Sequence, residues 1–253
     1  MMQYTLKKQL GQHFLHDEIV CQKIVAALSP GIDYLLEIGP GGGAITKYLM
    51  HLPVKNYLCI ELDKDKIDYL YKMYPALKDK ISHDDFLDAE LPFAENFTII
   101  GNFPYNISTQ IIFKVLDWKD HVDEVVGMFQ KEVAERIASK HGSKSYGIMS
   151  VLVQCYYDIE YLFDVAASSF TPPPKVTSGV IRLTRNNNPY QISDEKKFKV
   201  FVKAAFNQRR KTLRNSLKSI LPPEKLQGEI FNKRAEQLSV KDFVDLFHKM
   251  YEA

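Results

Sequence analysis

Cysteine is scarce in this chain. Three occur in 253 residues, Cys21, Cys59 and Cys155, at wide spacing and with no Cys-x-x-Cys pair. A disulfide-stapled miniprotein and a zinc knuckle are excluded, and a reducing compartment is expected. No apolar run approaches the ~18 residues that a membrane-spanning helix needs. Lys7 and Lys8 are followed by no apolar stretch, so the N-terminus does not read as a secretory signal. None of the seven histidines lies in an H-E-x-x-H pattern, so no metal is expected. No internal repeat is visible. The absences together predict a soluble, cytoplasmic protein with no membrane contact. With 45% apolar and 25% charged residues, the chain has the composition of a globule with a real core. Its length fits one large domain, or one domain and an appendage.

A net charge is missing too, but only on average. The formal total is +2. Residues 1–185 hold 19 basic and 23 acidic side chains, a net of −4, and residues 186–253 hold 14 and 8, a net of +6. Lys203, Arg209, Arg210, Lys211, Arg214 and Lys218 follow one another with no acid among them. Asn207, Gln208, Thr212 and Asn215 are interleaved as neutral hydrogen-bonding groups. Such a stripe is either a solvated helix face or a footprint for phosphate. The arginines at its centre and the interleaved amides favour nucleic acid, with Arg209, Arg210, Lys211 and Arg214 as the binding candidates.

Along the chain, strand and helix patterns alternate. Strands are expected at Tyr34–Ile38, Asn56–Ile60, Ile81–Asp84, Phe97–Ile100, Val122–Phe129, Ile148–Tyr157 and Gly179–Leu183. Helices are expected from Ala44 to Met50, from an Asp63 cap to Met73, from a Ser108 cap through Leu116, and from Lys131 to Lys140. This order predicts an α/β fold, an open Rossmann-like sheet with crossover helices, over residues 1–185. Asn186-Asn187-Asn188-Pro189 reads as a linker. Beyond it the apolar spacing is helical, so residues 186–253 should form a small all-helical domain.

The run Glu37-Ile38-Gly39-Pro40-Gly41-Gly42-Gly43-Ala44 follows a strand and precedes a helix. Glycines there let the backbone turn sharply and approach a ligand. Gly39, Gly41 and Ala44 even satisfy the dinucleotide pattern G-x-G-x-x-A, a weak signal alone that a purely structural turn also meets. Glu61 ends the next strand, 22 residues after Gly39, where a carboxylate can accept from both ribose hydroxyls. Two ligands remain open, a nicotinamide dinucleotide and S-adenosyl-L-methionine. Glu37 puts negative charge where a pyrophosphate would be repelled and a cationic sulfonium would be welcome. Asp85 follows the third strand and can accept from an adenine amino group, with Phe86 against the ring. This set favours the S-adenosyl-L-methionine pocket of a methyltransferase.

Asn102-Phe103-Pro104-Tyr105 ends the fourth strand, on the edge where open α/β sheets bind ligands. The plain alternative is an ordinary turn. An adenine N6 amine is a poor nucleophile, because its lone pair is delocalised into the ring. The Asn102 side-chain oxygen can accept one amino hydrogen, and the bend at Pro104 can aim a backbone carbonyl at the other. Tyr105 can stack the base. In-line methyl transfer then needs positioning and electrostatics but no side-chain nucleophile. A base inside a duplex cannot reach such a site, so the target must be unpaired or flipped. Phe170, before Thr171-Pro172-Pro173-Pro174, is either the opposite stacking face or a core residue.

These residues, with Lys8-Gln9-Leu10-Gly11-Gln12-His13-Phe14-Leu15, Gln130-Lys131-Glu132-Val133-Ala134, Phe170–Val176 and Ala205-Phe206-Asn207-Gln208-Arg209-Arg210-Lys211-Thr212-Leu213, carry a resemblance over essentially the whole length. The chain resembles the small-subunit ribosomal RNA adenine dimethyltransferases, the RsmA/KsgA family. The resemblance implies N6-dimethylation of two adjacent adenosines in the 3′-terminal hairpin loop of 16S rRNA. It implies S-adenosyl-L-methionine as donor, the small (30S) ribosomal subunit as partner, and a role in ribosome biogenesis. By the family pattern His13, Leu15, Gly39, Glu61, Asp85 and Asn102 would touch the cofactor. Position 13, often Asn in the family, is His here. A monomer is the default expectation. The competing readings are an Erm-like 23S rRNA methyltransferase, a non-catalytic RNA-binding or transcription-accessory relative, and an NAD-dependent oxidoreductase.

Overall fold

Apolar runs that end in glycine or a carboxylate set the architecture. The computed structural model describes residues 13–187 and 190–251. Lys8–Gln12 of the N-terminal motif and Asn188-Pro189 of the expected linker lie outside those residues. The elements in order are β1 (Phe14–Leu15), α1 (Glu18–Ala26), β2 (Tyr34–Ile38), α2 (Thr46–Leu49), β3 (Asn56–Glu61), α3 (Lys64–Met73), β4 (Ile81–His83), β5 (Phe97–Asn102), α4 (Ser108–Asp117), β6 (Val122–Gln130), α5 (Lys131–Ala138), α6 (Ile148–Gln154), β7 (Tyr157–Val165), β8 (Phe170–Thr171), β9 (Ser178–Arg185), α7 (Glu195–Phe206), α8 (Leu213–Leu217) and α9 (Val240–Tyr251).

Seven strands form one sheet in the order β4-β3-β2-β5-β6-β9-β7. The five from β4 to β6 run parallel, and β9 is antiparallel to β6. Leu35–Ile38 of β2 and Phe97–Gly101 of β5 are buried without a break, as strands covered on both faces must be. The chain begins the sheet at β2, grows one way through β3 and β4, then returns to lay β5 on the other edge of β2. The order therefore reverses between β2 and β5, which opens a crevice at their carboxyl ends. A second, two-stranded sheet pairs β1 with β8.

The fold is the expected α/β sheet with a helical C-terminal region, but local expectations shift. Ser108 does not cap α4. Ile107 holds the cap position and Ser108 is the first helical residue, its Oγ donating to Tyr105 O at 3.2 Å. The helix thus starts one residue early, and Ile107 N donates to Pro104 O at 3.2 Å. The expected strand over Ile148–Tyr157 is helix α6, with β7 starting only at Tyr157. Met149–Val153 are all buried, and an apolar run without periodicity fits a buried helix as well as a strand.

Contacts divide the chain into two units. One holds the described residues to Ala134 with Ile159–Arg185, and the other holds Glu135–Asp158 with the described residues from Asn186 on. The stretch around α6 thus packs with the tail. Inside the second unit Phe206 stacks on Phe243 with centroids 5.5 Å apart, and Phe198 meets Phe247 edge-on at 5.3 Å. All three cysteines are free and buried. Desolvation lifts the Cys21 thiol to about 11 and raises Cys59 and Cys155 as well.

Gly101 and Gly127 face each other in the β5–β6 register, and the Phe103 ring fills the space that both leave. A Cβ on Gly127 would lie 2.4 Å from Phe103 Cε2 and 2.6 Å from Phe129 Cε2. Overfilling a packed site costs about 1–3 kcal/mol. Gly127→Ala should lower folding stability by about that amount in urea unfolding. An unchanged midpoint would show that the Phe103 slot has slack.

Candidate active site

The crevice is lined at once by the glycine loop, the carboxyl ends of β2, β3 and β5, and the segment after β4. Every residue expected to touch a cofactor lines it: His13, Leu15, Glu37, Gly39, Gly41, Glu61, Asp85, Phe86 and Asn102. So do Pro104 and Tyr105.

The loop leaves β2 with Gly39 N donating to Ile60 O at 2.9 Å. Gly39 and Gly43 have φ of +65° and +81°, a region that disfavours any Cβ. A Cβ on Gly39 would meet nothing within 4 Å, so its face is open. These turns delay the helix: α2 starts at Thr46, where the sequence predicts Ala44. Glu61 braces the loop. Its Oε2 accepts from Gly41 N at 3.0 Å and its Oε1 from Asp63 N at 2.9 Å. Each carboxylate oxygen retains a lone pair for a diol. Asp85 accepts from Leu87 N at 2.9 Å through Oδ1, which leaves Oδ2 for a ligand. Phe86 packs edge-on to Trp118, centroids 5.2 Å apart.

Glu37 is 1% exposed. Thr46 Oγ1 donates to its Oε1 at 2.9 Å, and the Tyr57 hydroxyl donates to its Oε2. Burial lifts its carboxyl to about 7, against the pull of those donors. Tyr57 and Thr46 are partners that the sequence did not reveal, since only the β2–β3 register and the first turn of α2 bring them to Glu37.

The Asn102–Tyr105 turn rises from β5. Phe103 is 1% exposed and pinned against Phe129, and Phe103 N donates to Met128 O at 3.2 Å. With the middle residue anchored, its neighbours face the cleft. The Asn102 amide makes no hydrogen bond among the described residues and is free for a ligand. The hydroxyls of Tyr105 and Ser178 share a hydrogen bond at 2.5 Å, which fixes the Tyr105 ring. Burial raises the Tyr105 phenol, so it stays neutral. His13 lies beside it, ring centroids 5.8 Å apart. His13 Nδ1 is 2.7 Å from Pro172 O. A carbonyl can only accept, so Nδ1 carries a proton and Nε2 is left for a ligand.

Phe170 sits where its core reading places it. It is 2% exposed, lies in the core cluster with Leu15, Met128 and Val180, and does not line the cleft. As β8 it pairs with β1, Leu15 opposite Phe170, and that pairing turns the ring inward. Leu15, equally buried and in the same cluster, does line the cleft, so the core position of Phe170 leaves its stacking role an expectation. The basic candidates belong to the second unit, in the turn between α7 and α8 and in α8 itself. Arg209, Arg210 and Lys211 are exposed. Arg214 is half-buried and donates to Gly228 O at 3.4 Å and Asn232 Oδ1 at 3.1 Å.

Residues 3–252 match the family model described as ribosomal RNA adenine dimethylase. The chain belongs to that family. This ribosomal RNA adenine dimethylase is 55% identical to the ribosomal RNA small subunit methyltransferase A of Cytophaga hutchinsonii, over 97% of each chain. It is 53% identical to the protein of that name from Flavobacterium johnsoniae, over 99% of this chain and 97% of the other. Its fold is that of the dimethyladenosine transferase from Plasmodium falciparum, with TM-score 0.82, 24% identity, and coverage of 95% of this chain and 98% of that one. The 23S rRNA methyltransferase ErmE shares the fold at TM-score 0.69 and 23% identity, with 94% and 99% covered. The dimethylase is therefore an rRNA-modifying enzyme with an α/β methyltransferase fold.

The Glu37 value sets a pH window. Its carboxyl titrates near 4.5 when unfolded and near 7 when folded. The unfolded chain loses this proton first, so the contribution is full below 4.5 and is lost as pH rises through about 7. Glu37→Gln should flatten the fall in stability between those pH values. Unfolding midpoints of both proteins measured from pH 4 to 8 test this, and parallel curves would contradict it.

Proposed function

We propose that this dimethylase transfers methyl groups from S-adenosyl-L-methionine to N6 of two adjacent adenosines in the 3′-terminal hairpin loop of 16S rRNA. Its substrate is the small (30S) ribosomal subunit, its setting is cytoplasmic ribosome biogenesis, and it works as a monomer. The observation that carries this reading is the free Asn102 amide on the same cleft wall as the glycine loop, Glu61 and Asp85.

The cleft fits the donor. Open space over Gly39, two carboxylates with unused acceptor capacity, and the buried Phe86 face suit a diol, an adenine amine and a purine ring. Bound there, the donor supplies a methyl group on a positively charged sulfur. Glu61 accepts from the ribose hydroxyls while it holds Gly41, and Asp85 accepts from the donor's adenine. Glu37 sets the local charge beneath the loop, and Leu15 and Gly41 shape the wall. Nε2 of His13 accepts from the donor's amino-acid end.

Asn102 Oδ1 accepts one hydrogen of the target amine. A carbonyl at the Phe103-Pro104 bend accepts the other, and the amine nitrogen's lone pair is turned toward the cleft. Tyr105 presents a ring face whose angle Ser178 fixes. Phe170 is the candidate for the opposite stacking face. Arg209, Arg210 and Lys211 contact rRNA phosphates from the second unit, and Arg214 mainly holds the 228–232 turn. Three buried thiols accord with a reducing compartment. Among the described residues no helix is long and apolar enough to cross a membrane, and no group of side chains gathers as a metal site.

The test supplies purified protein with labelled donor and either undermethylated small subunits or large subunits. Label should enter small-subunit adenosine only, and Asn102→Ala should lower transfer about 100–1,000-fold, as loss of one aligned polar group does. Label in the large subunit, or a fully active Asn102→Ala, would overturn the reading.

A further inference from the structure

The basic surface of the second unit is larger than the stripe in the sequence. Residues 139–147, Ser-Lys-His-Gly-Ser-Lys-Ser-Tyr-Gly, carry Lys140, His141 and Lys144 and no acid. In sequence they lie over sixty residues from Arg209, within the half whose net charge is negative. In the structure they belong to the same unit as the stripe.

Three tethers hold this loop. An Arg209 guanidinium nitrogen donates to Lys144 O. Gly142 N donates to Glu236 O at 2.6 Å. The Tyr146 ring, 4% exposed, packs edge-on to Phe206 with centroids 6.1 Å apart. Phe206 is the last residue of α7, immediately before the basic turn. The loop is thus pinned at its tip, its middle and its base, and two of the pins are on the stripe's own segment. Residues 140–145 are all exposed, so the ammonium groups of Lys140 and Lys144 reach solvent. Asp242, whose carboxylate feels the charge of His141, already accepts from Ser239 N and Oγ. Bringing the segment over changes the ledger: the second unit has 17 basic and 10 acidic residues, +7, and the first has 16 and 21, −5.

We propose that the 139–147 loop is a second phosphate-binding element for the RNA substrate, with Lys140 and Lys144 contacting backbone phosphates beside Arg210 and Lys211. Arg209 acts partly as a positioning residue, through Lys144 O. The partner is RNA because the surface offers exposed cations beside exposed Asn207 and Gln208, a mixture that suits phosphates and sugars. This inference rests on the functional reading above.

The test is the salt dependence of full-length protein binding to undermethylated small subunits. Each lost phosphate contact should reduce the slope of log K against log salt by about 0.7–0.9. The double variant Lys140→Ala/Lys144→Ala should therefore bind with a slope shallower by about 1.5. Lys140→Arg/Lys144→Arg should keep the wild-type slope. Lys78→Ala/Lys80→Ala, exposed lysines of the first unit, should also keep it. In an Arg209→Ala background the lysine pair should matter less, since the tether at Lys144 O is lost. Donor affinity, measured by calorimetry, should be unchanged throughout. An unchanged slope in the double alanine variant would overturn the proposal, as would an equal loss in the control pair. If the wild type transfers no methyl group to small subunits, the functional reading falls while the slopes still report the loop's contacts.

Discussion

A phenyl ring held between two glycines governs this molecule. Phe103 occupies the gap that Gly101 and Gly127 leave on adjacent strands, and Phe129 closes it. A Cβ on Gly101 would also lie 2.8 Å from Ile38 O, the last carbonyl of β2. The same packing therefore sets how closely β2 and β5 approach and where the next residue of the chain points. The turn that carries Asn102 and Tyr105 inherits its position from the core, and the Tyr105–Ser178 hydrogen bond holds its far end. The reversal of strand order does the rest, since it leaves the carboxyl ends of β2, β3 and β5 with room between them.

The site was legible wherever chemistry and topology share one stretch of chain. A strand, then glycines, then a carboxylate at the end of the next strand form a local pattern, and the candidates it nominates, Glu37, Gly39, Glu61 and Asp85, all line the crevice. What was lost depends on distant pairing. Phe170 looks the same in sequence whether it faces a ligand or Leu15, and its place in the core cluster shows only once β1 and β8 pair. The α6 run carries no period, so a buried helix and a buried strand could not be separated. Ser178 and Tyr57 gave no signal at all. Each matters through one hydroxyl that meets its partner only after the sheet is assembled.

Charge tells the same lesson at larger scale. A cut at residue 185 placed Lys140 and Lys144 with the acidic half. Their helix α6 has its neighbours in α7 and α9, and the loop before it goes with the helix. The positive field of a unit is a property of its surface, so counts along the chain understate it wherever the chain crosses between units. The two units differ in sign: Glu37, Glu61 and Asp85 line the crevice of one, and the other presents cations.

The burial of all three thiols has a practical corollary. A thiol reacts as its anion, and burial disfavours that anion at Cys21, Cys59 and Cys155 alike. Alkylating reagents should therefore find little to attack on the native protein. A cysteine engineered at an exposed position would be the preferred handle for a fluorophore or spin label, with no need to strip the native ones first.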